Sequence, residues 1–157
     1  MFTLLRTKKE YDDHDILSPA NAEMIEIEKV KDDVFSRKLL GEGVAFILKD
    51  GNIASPANGR ITTIFHTGHA FGITTNEGVE LLIHIGINTV DSKGKGFHIL
   101  VEEGEKVKAG DPVIKVDLMR LSKEYDMTTM LIVTDNNGKD IKFIDYGTVR
   151  QKELINR

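Results

Sequence analysis

The sequence predicts an all-β protein: an antiparallel β-sandwich or barrel built by internal duplication, with few and short helices. Three observations predict it. Short segments rich in β-branched residues recur at 24–28, 44–48, 60–65, 71–75, 79–85, 112–116, 130–134 and 141–144. Turn chemistry separates them, as in Lys49-Asp50-Gly51-Asn52, Asn76-Glu77-Gly78 and Asp135-Asn136-Asn137-Gly138-Lys139. Finally, Ser18-Pro19-Ala20-Asn21 recurs as Ser55-Pro56-Ala57-Asn58, 37 positions later, and each copy leads into an alternating segment. Two copies are too few for a solenoid, so the repeat implies a pseudo-symmetric sandwich.

In chain order, residues 1–15 are broken by Arg6, Lys8 and Lys9 and then turn acidic. They lack the apolar core of a signal peptide and are expected to form an N-terminal tail. No Ser- or Pro-rich linker divides residues 16–157, which are expected to form a single domain. Pro19 and Pro56 suit corners, because proline cannot donate to a ladder and belongs at the start or edge of a strand. The pattern at 32–40 reads as a short helix, as does 117–125 with Asp117 as its N-cap. The turn at Asn76-Glu77-Gly78 sets up a hairpin between the segments on either side. Between Glu103 and Val113 two glycine turns flank a short strand, and an apolar strand follows. Biotinyl and lipoyl carriers, some zinc peptidases and sugar-transport phosphocarriers share that shape.

Composition narrows the function. With 157 residues, 40% hydrophobic and 29% charged, the chain can bury a core and is neither disordered nor fibrous. A formal charge of −4 argues against nucleic acid as a partner, since phosphate backbones require a positive surface. The absence of cysteine excludes disulfide scaffolds, thiolate metal sites and a cysteine nucleophile. No apolar run approaches the roughly 20 residues needed to cross a bilayer. The expectation is a soluble, cytoplasmic chain with no membrane insertion.

Five histidines remain as chemistry-bearing groups. His14 lies in an acidic run and His98 follows the glycine-rich Lys93-Gly94-Lys95-Gly96, and both read as solvated side chains. His66, His69 and His84 are the candidates. If 79–85 is a strand, Val79, Leu81, Ile83 and Ile85 share a core-facing side, while Glu80, Leu82 and His84 share the other. His84 therefore points away from the core, next to an apolar side chain. The hairpin at Asn76-Glu77-Gly78 brings His69 and His84 to neighbouring strands. Such a pair suits phosphoryl transfer, one neutral ring being the nucleophile and the other a donor to the phosphoryl oxygens. It equally suits zinc binding, and a purely structural histidine is a third reading.

At these residues the sequence resembles the glucose-family IIA domain of the bacterial phosphoenolpyruvate-dependent sugar phosphotransferase system, from about Ile16 to Arg150. The motifs are Ser55-Pro56 with Gly59, Thr67-Gly68-His69-Ala70-Phe71, the block from Gly78 to Val90, Gly94-Lys95-Gly96-Phe97 and Gly110-Asp111-Pro112-Val113. The resemblance implies a duplicated β-sandwich (a duplicated hybrid motif). It implies that His84 is the phosphorylated histidine, that His69 stabilises the phosphoryl group and that Thr67 orients the rings. It also implies a docking surface made of Val34, Phe35, Leu39, Leu40, Phe65, Leu82 and Val90, with Asp32, Asn88 and Asp91 at its rim. Asn88 stands where family members usually carry aspartate, and Leu82 where an aromatic is common. The implied partners are the histidine-containing phosphocarrier protein and the IIB domain of a sugar permease, with no cofactor and no metal.

Two rivals share parts of the pattern. A lysostaphin-type zinc peptidase needs a His-x-His ligand pair, but Ile85-Gly86 follows His84 and the second ligand is missing. A biotinyl or lipoyl carrier needs a lysine at a tight hairpin between the repeats, and no lysine occupies such a turn.

Overall fold

Aliphatic alternation builds two antiparallel sheets in a computed structural model that describes residues 10–157. The first half of the chain forms β1 (Ala22–Glu26), the short helix α1 (Asp33–Ser36), β2 (Glu42–Leu48), β3 (Asn52–Ala54), β4 (Gly59–Ile64), β5 (Ala70–Thr75) and β6 (Glu80–Ile85). The second half forms β7 (Phe97–Ile99), β8 (Lys106–Val107), β9 (Pro112–Val116), helix α2 (Leu118–Leu121), β10 (Thr129–Asp135) and β11 (Gly147–Val149). The larger sheet has eight strands in the order β11-β1-β2-β10-β6-β5-β4-β8, and the smaller has three, β3-β9-β7. This is the β-sandwich that the sequence predicts.

The order of the large sheet reads symmetrically about its centre, and the registers show why. Ala22 pairs with Val149 and Leu48 on the two sides of β1, as Gly59 pairs with Val107 and Thr75 on the two sides of β4. At the centre Leu131 of β10 pairs with Ile83 of β6, so the pseudo-two-fold axis runs between them. The Ser-Pro-Ala-Asn corners obey the same symmetry. Ser18 Oγ donates to the Ala20 carbonyl at 2.7 Å, and Ser55 Oγ donates to that of Ala57 at 2.8 Å. The Leu17 N–H donates to the Pro56 carbonyl while the Ala54 N–H donates to that of Pro19, both at 2.8 Å. Each corner thus caps the other. The duplication extends where the sequence hides it: the turn at Lys108 to Asp111 is repeated at Arg150 to Glu153, with Gly110 and Lys152 both at positive φ.

One face of the large sheet forms the main core with the small sheet, through Phe46, Phe71, Ile73, Leu81, Ile83, Ile85 and Leu131 against Ile53 and Ile114. Its other face carries a second apolar cluster. There Ala45, Met130 and Ile132 are covered by Ile27, Val30 and Phe35 from the segment between β1 and β2. That segment begins with a 3-10 turn at Ile27–Lys29 and continues into α1.

Several expected elements are shorter than the sequence pattern suggests. The helix expected at 32–40 is four residues, Asp33–Ser36, and the chain turns out of it with Lys38 at φ 59°. The helix at 117–125 is confined to Leu118–Leu121, with Asp117 accepting from the Arg120 N–H as its N-cap. Residues 141–144 form no strand. Phe143 makes a lone bridge to Asn156, and Ile144 and Arg157 add single backbone bonds across the same gap. Ile141, Phe143 and Ile144 nonetheless pack on the core, which accounts for their apolar character without a ladder. Residues 10–15, the described part of the expected tail, are tied to the body. Asn58 Nδ2 donates to the Tyr11 carbonyl at 2.8 Å, and Asn76 Nδ2 donates to Asp13 Oδ1 at 2.9 Å.

The matched corners make a quantitative prediction. Ser18→Ala and Ser55→Ala each remove a buried hydroxyl that donates to one carbonyl and leave that carbonyl unpaired, costing about 1–3 kcal/mol. Urea unfolding should show losses within a factor of two of each other; a neutral effect at either corner would contradict the equivalence.

Candidate functional site

Strand β6 presents His84 on the second face of the large sheet, because Leu81, Ile83 and Ile85 occupy the core side. Met130 stands directly opposite on β10 and Ala70 on β5. The hairpin between β5 and β6 closes at Gly78, which is at φ 80°. Its register is one residue away from placing His69 opposite His84. The His69 carbonyl instead accepts from the Ile85 N–H at 2.7 Å, and the His69 ring reaches diagonally. The two imidazoles meet edge to face with centroids 5.2 Å apart.

Each ring has one nitrogen engaged. His84 Nδ1 lies 2.9 Å from the Gly86 carbonyl oxygen. A carbonyl can only accept, so the proton is on Nδ1 and Nε2 keeps its lone pair. His69 Nδ1 lies 2.6 Å from Thr67 Oγ1, a hydroxyl that can donate or accept. When Thr67 donates, His69 presents Nε2–H as a hydrogen-bond donor. One free nucleophilic nitrogen and one free donor thus sit side by side.

Gly86 supplies the carbonyl that holds the His84 proton. It holds φ 80°, and a Cβ there would lie 2.4 Å from Thr89 Cγ2 and 3.0 Å from Met127 Sδ. Only glycine gives this turn its shape. Thr89 is buried, and its hydroxyl donates to the Ile85 carbonyl, fixing the chain beyond the strand. The only local sign of the carbonyl's role was a glycine two residues after a histidine at a strand end.

The surroundings set the charge state. Phe35 packs on the His84 ring at 5.0 Å between centroids, and Phe65 packs edge-on to His69 at 5.2 Å. Burial is the largest influence on His84, and the neighbouring His69 adds to it. The Gly86 hydrogen bond and the Asp32 carboxylate oppose it only in part, so the pKa falls from 6.5 to about 4. His69, only 3% exposed, is also lowered, first by burial and then by His66. Both rings are therefore neutral at pH 7.

The expected docking residues fall into two groups. Val34, Leu39, Leu40, Phe65 and Val90 are exposed around the histidines, Leu39 and Val90 being 62% and 52% exposed. Leu82 is half-buried on the same face. Phe35 is buried, so it supports the His84 ring instead of offering a contact surface. Asp32 caps α1 through Oδ1, which accepts from the Val34 N–H at 2.9 Å, and its charge also reaches His84. Asn88, at φ 59°, and Asp91 lie exposed beside Val90, on the 3-10 turn Thr89–Ser92 and its entry. Asparagine tolerates this left-handed geometry better than most residues.

Metal chemistry finds little support in this geometry. Among the described residues, no third His, Asp or Glu joins His69 and His84 with ligand atoms close enough to share an ion. The one cluster that could is Asp12, His14 and Asp15, away from this face and engaged in its own turn. His66 and His98 are exposed, and His66 is near enough to His69 to add to the lowering of its pKa. No helix among the described residues is long and apolar enough to cross a membrane.

Two neutral histidines with opposed hydrogen-bonding capacity, ringed by apolar side chains on a duplicated sandwich, define a phosphohistidine-type group-transfer domain. The chain belongs to the family described as phosphoenolpyruvate-dependent sugar phosphotransferase system, EIIA 1, which matches residues 14–139. It is 37% identical over 141 residues to a glucose-specific EIIA component of Mycoplasma capricolum, covering 89% of this chain and 92% of that protein. The solved structure of glucose permease IIA from the same organism superposes with a TM-score of 0.87 at 36% identity, covering 90% of this chain and 93% of that one. A glucose-specific EIICBA component of Staphylococcus carnosus is 38% identical over the same length of this chain, but the match spans only 21% of that larger protein. The zinc-peptidase and swinging-arm readings are not supported.

A pH titration tests the site. The His84 ring carbon-bound proton, followed by NMR, should titrate with a midpoint about pH 4, and Asp32→Asn should move it lower by removing a charge that favours the imidazolium. Because the folded value lies below that of the unfolded chain, stability falls as the pH drops from about 6.5 towards 4. His84→Gln should flatten that slope in thermal unfolding. A midpoint near 6.5 would refute the buried, neutral ring.

Proposed function

We propose that His84 accepts a phosphoryl group from the histidine-containing phosphocarrier protein and passes it to the IIB domain of a sugar permease, in the cytoplasm. The free Nε2 of a His84 whose Nδ1 proton is held by Gly86 carries the proposal. The Nε2 lone pair attacks phosphorus in line, a P–N bond forms, and the carrier's P–N bond breaks with its electron pair returning to the carrier's imidazole. His84 becomes an N-phosphoimidazolium, and the Gly86 carbonyl stabilises the positive ring through the retained Nδ1–H. His69 Nε2–H donates to a phosphoryl oxygen, with Thr67 holding the tautomer that makes it a donor. The reverse sequence delivers the group to the next acceptor.

The rim matches such a relay. Phosphorylation brings up to about two negative charges next to Asp32, and a basic partner offsets them only while docked. Release of a partner therefore leaves a phosphoryl group in a repulsive setting, which favours onward transfer. The exposed Val34, Leu39, Leu40, Phe65 and Val90 supply the apolar contact, with the half-buried Leu82 on the face of His84 and the exposed Asn88 and Asp91 beside Val90. Fusion of EIIA with EIIB and EIIC in relatives such as the Staphylococcus carnosus EIICBA protein and the β-glucoside EIIBCA protein of Bacillus subtilis supports IIB as the acceptor.

Incubation with phosphoenolpyruvate, enzyme I and the phosphocarrier protein, followed by intact mass, tests the relay. The chain should gain one acid-labile, base-stable phosphoryl group. His84→Ala should gain none, and His69→Gln should gain it but pass it on at least about a hundredfold more slowly. Thr67→Val should slow onward transfer about tenfold, by one lost orienting hydrogen bond to the transferring group. Phosphorylation of His84→Ala at any residue would overturn the assignment.

A further inference from the structure

The carbonyl that holds the His84 proton belongs to a residue with little stiffness of its own. Glycine enters positive φ without strain but does not resist leaving it, so the peptide that carries the Gly86 oxygen needs outside support to stay aimed at His84 Nδ1. Strand β6 ends at Ile85, one residue short of it.

The support can be followed group by group. Two peptide groups, 85–86 and 86–87, join the end of β6 to the turn beyond. The Gly86 N–H donates to the Thr128 carbonyl at 3.1 Å, and the Ile87 N–H donates to that of Asp126 at 2.8 Å. The Gly86 carbonyl faces His84 Nδ1. The remaining group, the Ile85 carbonyl, accepts from the Thr89 hydroxyl. Thr89 is fully buried, and its γ-methyl fills the space that a Cβ on Gly86 would need. Asn88, which enters the 3-10 turn Thr89–Ser92 at φ 59°, makes no side-chain cap. Apart from His84 itself, Thr89 is therefore the side chain that bonds to these two peptides.

We propose that Thr89 is a positioning residue for the phosphoryl transfer: by holding the Ile85 carbonyl, its hydroxyl keeps the Gly86 carbonyl on His84 Nδ1 and so selects Nε2 as the acceptor nitrogen. The proposal rests on the assignment of His84 as the acceptor. Without the hydroxyl, the Ile85 carbonyl is buried and unpaired, and the peptides rotate to relieve it. The Nδ1 proton then redistributes between the two ring nitrogens, and a ring protonated on Nε2 has no lone pair there to attack phosphorus. The same rotation weakens the bond from the Nδ1–H of the phosphoimidazolium, a charge-assisted one. Thr67 fixes the proton of His69 by direct contact; Thr89 fixes that of His84 through the backbone.

NMR of the full chain labelled with 15N-histidine tests this at pH 7, where His84 is neutral. The wild-type shifts should report His84 protonated on Nδ1 and bare on Nε2. Thr89→Val keeps the methyl, and Thr89→Ala leaves room for a water beside the Ile85 carbonyl, which makes it the milder change for folding. Each should raise the Nε2–H share of His84 to at least about one molecule in five while the spectrum stays dispersed. Thr89→Ser restores the hydroxyl and should restore the wild-type share. In single-turnover uptake from the phosphorylated carrier protein, the two hydroxyl-free variants should lose about tenfold in the rate at saturating carrier, with the half-saturating concentration changed less than about twofold, and Thr89→Ser should recover most of that rate. A wild-type tautomer in the hydroxyl-free variants, a serine variant that behaves like the valine, or a loss confined to the half-saturating concentration would overturn the proposal. The tautomer is read without any transfer, so a wild-type chain that takes up no phosphoryl group would count against the relay alone.

Discussion

The pairing of β6 with β10 at the pseudo-two-fold axis is the constraint on which the rest of the structure depends. Leu131 and Ile83 meet there, and the strands outside them follow in matched order, β2 with β5, β1 with β4 and β11 with β8. Because side chains alternate along a strand, that register also decides what lies on each face. Ile83 inward means His84 outward. A slip by one residue would bury the imidazole among aliphatic side chains and expose Leu81, Ile83 and Ile85. The main core and the histidine site are therefore two consequences of one ladder.

Symmetry in the backbone does not extend to the chemistry. The position on β10 equivalent to His84 holds Ile132, which joins the apolar cluster under α1. One half of the duplication thus provides a reactive ring, and the other provides the packing beside it. The segment between β1 and β2 completes the arrangement. Phe35 backs the ring, Asp32 caps the helix and biases the ring's charge, and Val34, Leu39 and Leu40 remain exposed as rim. Burial keeps His84 neutral, and the Gly86 carbonyl decides which nitrogen is free. Nucleophilicity here is a matter of proton placement more than of basicity.

Much of this was legible in the residues alone. The alternation of Val79, Leu81, Ile83 and Ile85 determined the direction of His84, the Asn76-Glu77-Gly78 turn determined the hairpin with His69, and the paired Ser-Pro-Ala-Asn corners announced the duplication. These are local patterns of period two and of turn chemistry, and they do not depend on what packs against them. The rest depended on contacts distant in sequence. Phe35 read as a surface residue because nothing in 32–40 reveals that a sheet face lies beneath it. The strand expected at 141–144 dissolved because apolar residues can pack on a core without finding a ladder partner. The repeat of the Lys108 turn at Arg150 stayed hidden because backbone geometry, not side-chain identity, is what the two copies share. Tertiary structure alone decided the nitrogen that keeps the proton and the ring that shields His84. Charge state and tautomer are properties of an environment, and an environment exists only once the chain has folded.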